Sequence, residues 1–130
     1  MAHSLKVKVY YEDTDAGGVV YYANYLSYLE RARTEFLAER GIIVAEYFRN
    51  GLLFVVSRVD IRYRHPARLG EVIEVTTEIR EMKGASMDLS HRVLRDGELL
   101  AEAEVTLACT DAAGKPRRLP EDLRSLGEDG

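Results

Sequence analysis

The segment Tyr10–Tyr28, YYEDTDAGGVVYYANYLSY, is where this chain changes from one periodicity to another. Up to it, Leu5, Val7, Val9 and Tyr11 alternate with Lys6, Lys8, Tyr10 and Glu12, the period-two pattern of a strand with one buried face. Beyond it, Tyr25, Tyr28, Leu29, Ala32 and Phe36 fall at i, i+3, i+4, i+7 and i+11, one stripe of an α-helix. Between the two lie Asp13, Asp15 and the pair Gly17-Gly18, which gives the backbone freedom for a sharp loop. An acid placed just before a helix meets the positive end of the dipole and free backbone N–H groups. One reading makes an aspartate there a helix cap. The other makes it a nucleophile or general base facing a partly apolar cleft, with helix N–H groups donating to a developing oxyanion. That geometry suits acyl-transfer chemistry, and Gly17 and Gly18 would let backbone approach the ligand closely.

Working outward, Glu30, Arg31, Arg33, Glu35 and Arg40 lie largely off the helical stripe, and Gly41 is a stop signal. A short helical turn is expected over Val44–Asn50, closed by Asn50-Gly51. Four strands follow. Val55, Val59, Ile61 and Tyr63 alternate with Arg58, Asp60, Arg62 and Arg64, and His65-Pro66 ends that run. Ile73, Val75, Thr77 and Ile79 form a second alternating set, and Met87, Leu89 and Val93 a third. In the fourth, Leu99, Ala101, Ala103, Val105, Leu107 and Cys109 alternate with Leu100, Glu102, Glu104, Thr106 and Ala108. Lys83-Gly84 and Asp96-Gly97 mark the hairpins between them. From Asp111 to Gly130 the chain reads as a polar tail, with Gly127–Gly130 expected to be mobile. The order strand, long helix, four antiparallel strands predicts an α+β domain over residues 1–130, its one helix wrapped by one curved sheet of about five strands. Such a sheet has edges to manage, and pairing with a second copy through an edge would do so.

Composition narrows the class. With 46% hydrophobic and 31% charged residues the chain has the balance of a folded globular domain, and 130 residues suffice for one core. No apolar run approaches the ~20 residues that span a bilayer, so membrane insertion is not expected. The N-terminus enters strand pattern without a signal-peptide core, and the lone Cys109 has no internal disulfide partner; both favour a reducing cytoplasm. A net charge of −4 argues against generic nucleic-acid binding, although Arg58, Arg62, Arg64 and Arg68 cluster, as do Lys115, Arg117 and Arg118. Three scattered histidines and one cysteine have no metal-ligand spacing, and no phosphate-loop, dinucleotide or G-x-S-x-G pattern is present. No cofactor is called for.

Read as a whole, Y-E-D-T-D-A-G-G-V-V-Y-Y-A-N-Y-L followed by Leu29–Glu35 resembles the 4-hydroxybenzoyl-CoA thioesterase-like family of hotdog-fold proteins, in particular the branch of acyl-CoA thioesterases associated with the Tol-Pal system. Further matches run through Phe54–Val56, Tyr63–Leu69, Ala101–Val105 and Lys115–Arg117, so the resemblance spans nearly the whole chain. It implies a hotdog fold and hydrolysis of a short aliphatic or aromatic acyl-CoA to free acid and coenzyme A. It also implies active sites at the interface of a homodimer, with a tetramer as the further assembly. Residue by residue, Asp15 matches the catalytic carboxylate and Tyr11 an aromatic that positions it. The backbone N–H of Tyr22 matches the group that polarises the thioester carbonyl, and Asn24 and Tyr25 close the motif. The Tol-Pal branch commonly carries histidine where this chain has Tyr22; aryl-CoA thioesterases accept tyrosine there. A phenol, with a pKa of ~10, donates a hydrogen bond rather than titrating near neutrality, leaving Asp15 more of the chemistry.

Coenzyme A brings phosphates, for which Lys83 and Ser86 beside Gly84, and Arg117 and Arg118 in the tail, are the candidates. His65, at a strand end, and His91, in an inward slot, read as structural; Glu30 reads either as a second acid, since other hotdog hydrolases carry their carboxylate on this helix, or as a helix-surface ion pair with Arg31 or Arg33. Two other functions compete. A non-catalytic or weakly active module of an envelope or lipid system could bind acyl thioesters or engage an acyl carrier protein. A hotdog dehydratase would need a histidine beside a helix carboxylate, which this chain lacks.

Overall fold

The computed structural model describes residues 2–129. Its regular elements are β1 (Ala2–Lys8), α1 (Tyr25–Glu39), α2 (Val44–Arg49), β2 (Leu52–Tyr63), β3 (Val72–Met82), β4 (Ser86–Arg95), β5 (Glu98–Asp111), α3 (Glu121–Arg124) and α4 (Leu126–Asp129). The strands form one antiparallel sheet in the order β1-β3-β4-β5-β2, so β1 and β2 are its edges. α1 lies on one face and buries Tyr25, Tyr28, Leu29, Ala32 and Phe36, the stripe expected from the spacing, together with Leu37. Facing it from the sheet are Ile73, Val75, Met87, Leu89, Val93, Ala103 and Val105. This is the hotdog architecture expected from the resemblance. The Asp96-Gly97 hairpin turns with φ of 50° and 84°, the left-handed pair that suits the right-handed strand twist.

Four features depart from the simple alternation, each for a local reason. Tyr11 does not continue β1; the chain leaves the sheet after Lys8, and Tyr11–Asp13 form a 3₁₀ turn that leaves Tyr11 82% exposed. In β2, Ser57 is an extra residue: Val56 pairs with Leu107 and Arg58 with Thr106. The bulge flips the phase, so Val56, not Val55, shares the helix-facing side with Val59. A second irregularity, where Val93 pairs with Ala101 and Leu94 with Leu99, turns Leu100 into the core rather than outward. The segment after Asp111, polar as it reads, folds back over the sheet end. Leu119 N–H donates to the Gly84 carbonyl at 2.8 Å, and Leu119 and Leu123 are buried. Gly127 lies in α4, where an added Cβ would come within 2.9 Å of Met82 Cβ; Gly130 is outside the described residues.

Candidate active site

The Asp-Thr-Asp loop is a small structure in its own right. Thr14 pairs with Val20, Asp15 N–H donates to the Val19 carbonyl at 2.9 Å, and Gly18 turns the chain with φ of 76°. The loop is anchored on the segment leading into β3, through Val20 N–H to the Ala67 carbonyl at 2.8 Å and Leu69 N–H to the Gly18 carbonyl at 3.0 Å. Within it Asp15 is exposed. Its Oδ1 accepts the Gly17 N–H at 2.8 Å, and a Cβ on residue 17 would stand 3.3 Å from that oxygen. Gly17 therefore leaves room at the carboxylate, and Gly18 supplies the turn.

Asp13, two residues earlier, has the opposite environment. It is 6% exposed, its Oδ2 accepts the Tyr10 N–H at 2.9 Å, and its Oδ1 accepts Asn24 Nδ2 at 3.0 Å. Burial works against its ionisation. The Tyr10 N–H, the Tyr28 hydroxyl, the Asn24 amide and the charge of Arg31 outweigh that, holding the carboxyl below its ordinary range. Tyr28 Oη is buried and, among the described residues, has no partner of good hydrogen-bonding distance and angle, so its interaction with Asp13 is electrostatic rather than a formed bond. Burial first, then Asp13, pushes the Tyr28 phenol well above its usual pKa.

A second 3₁₀ turn, Tyr22–Asn24, leads into α1. The Tyr22 side chain is 63% exposed, Tyr63 Oη donates to the Tyr22 carbonyl at 2.8 Å, and the Tyr22 N–H has no acceptor among the described residues. Tyr22, Tyr25 and Tyr63, with Val20, His65 and Pro66, line an open cavity of about 250 Å³. Tyr25 Oη accepts the Ala67 N–H at 3.2 Å, tying the helix start to the same anchoring segment; burial raises its pKa. Asp15, Gly17, Gly18 and Tyr22 are thus brought to one end of the sheet, with Tyr11 on the exposed turn beside them.

Lys83, Ser86, Arg117 and Arg118 are not there. They lie at the other end of β3, an eleven-residue strand of about 33 Å. Lys83 pairs with Asp88 at 3.5 Å and Arg117 with Asp111 at 3.0 Å, while Arg118 is exposed and half-buried Ser86 closes the turn by accepting the Lys83 N–H. Lys83, Gly84 and Arg118 line a cavity of about 450 Å³ with Arg124, a cation that no sequence signal singled out.

A larger groove of about 500 Å³ runs between α1 and β2, walled by Leu26, Leu29, Val56, Val59 and Arg33 among others. Arg33 was expected on the helix surface but is 7% exposed, its Nη1 3.4 Å from His91 Nε2. His91 Nδ1 faces the Thr76 carbonyl at 3.2 Å and must carry the proton, so Nε2 accepts from Arg33. Burial, then the Arg33 charge, lowers the His91 pKa to about 4 and keeps it neutral, and the side chain fills the inward slot expected of it. Glu30 forms no ion pair within 4 Å among the described residues. Nor do the described residues contain a His/Cys/Asp/Glu cluster that could hold a metal, or a helix long and apolar enough to cross a membrane.

Residues 9–126 match the thioesterase-like superfamily. The chain belongs to that superfamily. It is therefore a hotdog thioesterase by fold and a thioester hydrolase by class. It is 44% identical, over 90% of its length and 89% of the relative's, to the acyl-CoA thioester hydrolase YbgC of Escherichia coli O6:H1. To the acyl-CoA thioesterase YbgC of Haemophilus influenzae it is 41% identical, over 94% of this chain and 91% of that one. Among solved structures, a probable thioesterase from Bartonella henselae superposes with a TM-score of 0.86 at 35% identity, covering 92% of this chain and all (100%) of that one. A 1,4-dihydroxy-2-naphthoyl-CoA thioesterase from Synechocystis shares the fold, with a TM-score of 0.92 at 21% identity over 99% of this chain and 97% of its own. The thioesterase fold thus places its most conspicuous loop, Asp13–Val20, at the mouth of its one long helix.

Proposed function

We propose that this thioesterase hydrolyses short aliphatic or aromatic acyl-CoA in the cytoplasm, with Asp15 as nucleophile or general base and the Tyr22 N–H as oxyanion donor. The reading is carried by one observation: an accessible Asp15 carboxylate and a Tyr22 N–H without an acceptor stand on the loop that opens α1. Relatives named as acyl-CoA thioester hydrolases support the choice of thiol carrier. Water attacks the thioester carbonyl while Asp15 takes its proton, negative charge on oxygen is met by the Tyr22 N–H, and collapse expels the coenzyme A thiolate. In the covalent variant Asp15 itself attacks, thiolate leaves, and water then opens the acyl-aspartyl anhydride. Thiolate is a good leaving group, so one carboxylate and one oxyanion donor suffice. Tyr11, on the exposed turn four residues before Asp15, is assigned the role of positioning that carboxylate.

The reading includes a homodimer, with a tetramer as the further assembly. Asp15 lies open to solvent in one chain, and a second chain supplies the missing wall of its cleft. The same assembly gives Lys83, Ser86, Arg117 and Arg118 their role, since about 33 Å of β3 separates them from the Asp15 of their own chain. They hold the phosphates of a coenzyme A whose thioester sits in the partner's site. Thiol release from a panel of short, long and aromatic acyl-CoAs, wild type beside Asp15→Asn, tests the reading. Turnover by the wild type that is lost in the variant supports it. A folded wild type silent across the panel overturns it in favour of an acyl-binding module that engages acyl carrier protein.

A further inference from the structure

We propose that Asp13 is a positioning residue for hydrolysis: its buried carboxylate fixes the direction of the Tyr22 N–H relative to Asp15. This rests on the roles proposed above for Asp15 and Tyr22.

The connection can be followed bond by bond. The Tyr22 N–H belongs to the same rigid peptide unit as the Tyr21 carbonyl. That carbonyl accepts the Asn24 N–H at 2.8 Å, so the setting of Asn24 determines how the peptide is turned. The Asn24 side chain is in turn held by Asp13 Oδ1 at 3.0 Å. From the other side, the Asp13 carbonyl accepts the Tyr21 N–H at 2.9 Å, so the Tyr21–Tyr22 segment is held at both of its ends by one residue. Asp13 is also fixed toward the strand: its Oδ2 accepts the Tyr10 N–H at 2.9 Å and its own N–H donates to the Tyr10 carbonyl at 3.0 Å. Asp15 leaves this clamp two residues later.

With Asn24 as it stands, the clamp asks residue 13 for two acceptors, which an ionised aspartate provides; an asparagine offers one oxygen and requires the Asn24 amide to be reversed. The depressed pKa of Asp13 accords with that ionised state, and its burial shields the clamp from competing water. An oxyanion donor acts only when aimed at the position the oxygen will occupy. Loosening the clamp should therefore slow the chemical step and leave ground-state binding nearly untouched.

The experiment measures kcat, KM and Tm with an acyl-CoA that the wild type hydrolyses, with D15N as the inactive reference. In D13N the Tyr10 N–H takes the amide oxygen and the Asn24 amide must turn over to meet the new NH2, so a charge-assisted bond becomes a weaker neutral one. The expected result is a kcat lowered by about 10- to 100-fold with KM within about twofold. In D13N/N24D the amide and the carboxylate exchange places and the hydrogen bond re-forms with donor and acceptor reversed. At least about tenfold of the lost kcat should return. A D13N enzyme with wild-type kcat per folded molecule, or a double variant no faster than D13N, overturns the inference. Should D13N not fold, N24A is decisive: it spares the Tyr10 contact, and an unchanged kcat there overturns the inference equally. A wild type that hydrolyses nothing instead removes the roles of Asp15 and Tyr22 on which the inference stands.

Discussion

The two ends of the sheet are polar in different ways. At the end where α1 begins, hydrogen bonds converge on the backbone and leave the functional groups open: among the described residues, one Asp15 carboxylate oxygen has no partner and the Tyr22 N–H has no acceptor. At the opposite end, around the Lys83–Ser86 turn, the charges are largely met within the chain. Lys83 faces Asp88, Arg117 faces Asp111, Arg124 faces Glu121, and Tyr47 Oη donates to Asp122 at 2.6 Å. A group held in place but unsatisfied is free to meet a reacting atom, whereas a cation in an exposed ion pair is weakly engaged and can still turn to a phosphate. The contrast separates the end suited to chemistry from the end suited to holding a ligand.

The sharpest way to break the comparison is to remove one charge from each end. Asp15→Asn is expected to lower kcat by about 10³-fold or more, against a few-fold rise in KM and no change in kcat for Lys83→Ala. Steady-state kinetics on one acyl-CoA with both variants decides it. Next in size is a packing change at the far end. Leu123 is fully buried, and Leu123→Ala should cost about 2–5 kcal/mol, read as a lower Tm or denaturant midpoint, with kcat per folded enzyme preserved. Loss of turnover out of proportion to unfolding would show the two ends to be coupled. At the chemical end, Tyr22→His introduces a group titrating near neutrality, so the pH–rate profile should gain an inflection of a few-fold amplitude between about pH 6 and 7. A profile superimposable on the wild type would confine residue 22 to its backbone.

The smallest effect belongs to Tyr47. Burial first, then the bond to Asp122, raises its pKa to about 12. A proton held more tightly in the folded state favours folding fully below the unfolded pKa of ~10, and the gain is lost as pH rises from there through 12. Tm should therefore fall more steeply between about pH 10 and 12 in the wild type than in Tyr47→Phe; parallel alkaline limbs would refute the contribution.

Much of this was legible in the sequence because it depends on local period. The stripe Tyr25–Phe36 lies buried as spaced, and Asp96-Gly97 turns as such pairs do. Bulges were not legible. An extra residue such as Ser57 is indistinguishable in pattern from its neighbours until a partner strand registers against it, and the same holds for Leu100. Leu119 and Leu123, isolated among charged residues, gave no periodic signal and are buried only because the Gly84 turn receives them. Arg33 meets His91 across 58 positions, beyond any local pattern. Within the loop, Asp13 and Asp15 look alike in sequence. Only the path of the backbone separates the buried clamp from the exposed carboxylate.

The strand order has a consequence for how this protein is born. β5, fifth of the five strands in chain order, is interior to the sheet, and among the described residues β2 has no other neighbour: Leu52 pairs with Asp111 and Tyr63 with Ala101. β1 likewise waits for β3, Ala2 pairing with Glu78. While the chain is still on the ribosome, β2 therefore carries its unpaired backbone with no β5 to receive it. These long-range pairings slow folding and leave sticky surface exposed to neighbouring nascent chains until about residue 111 has cleared the exit tunnel.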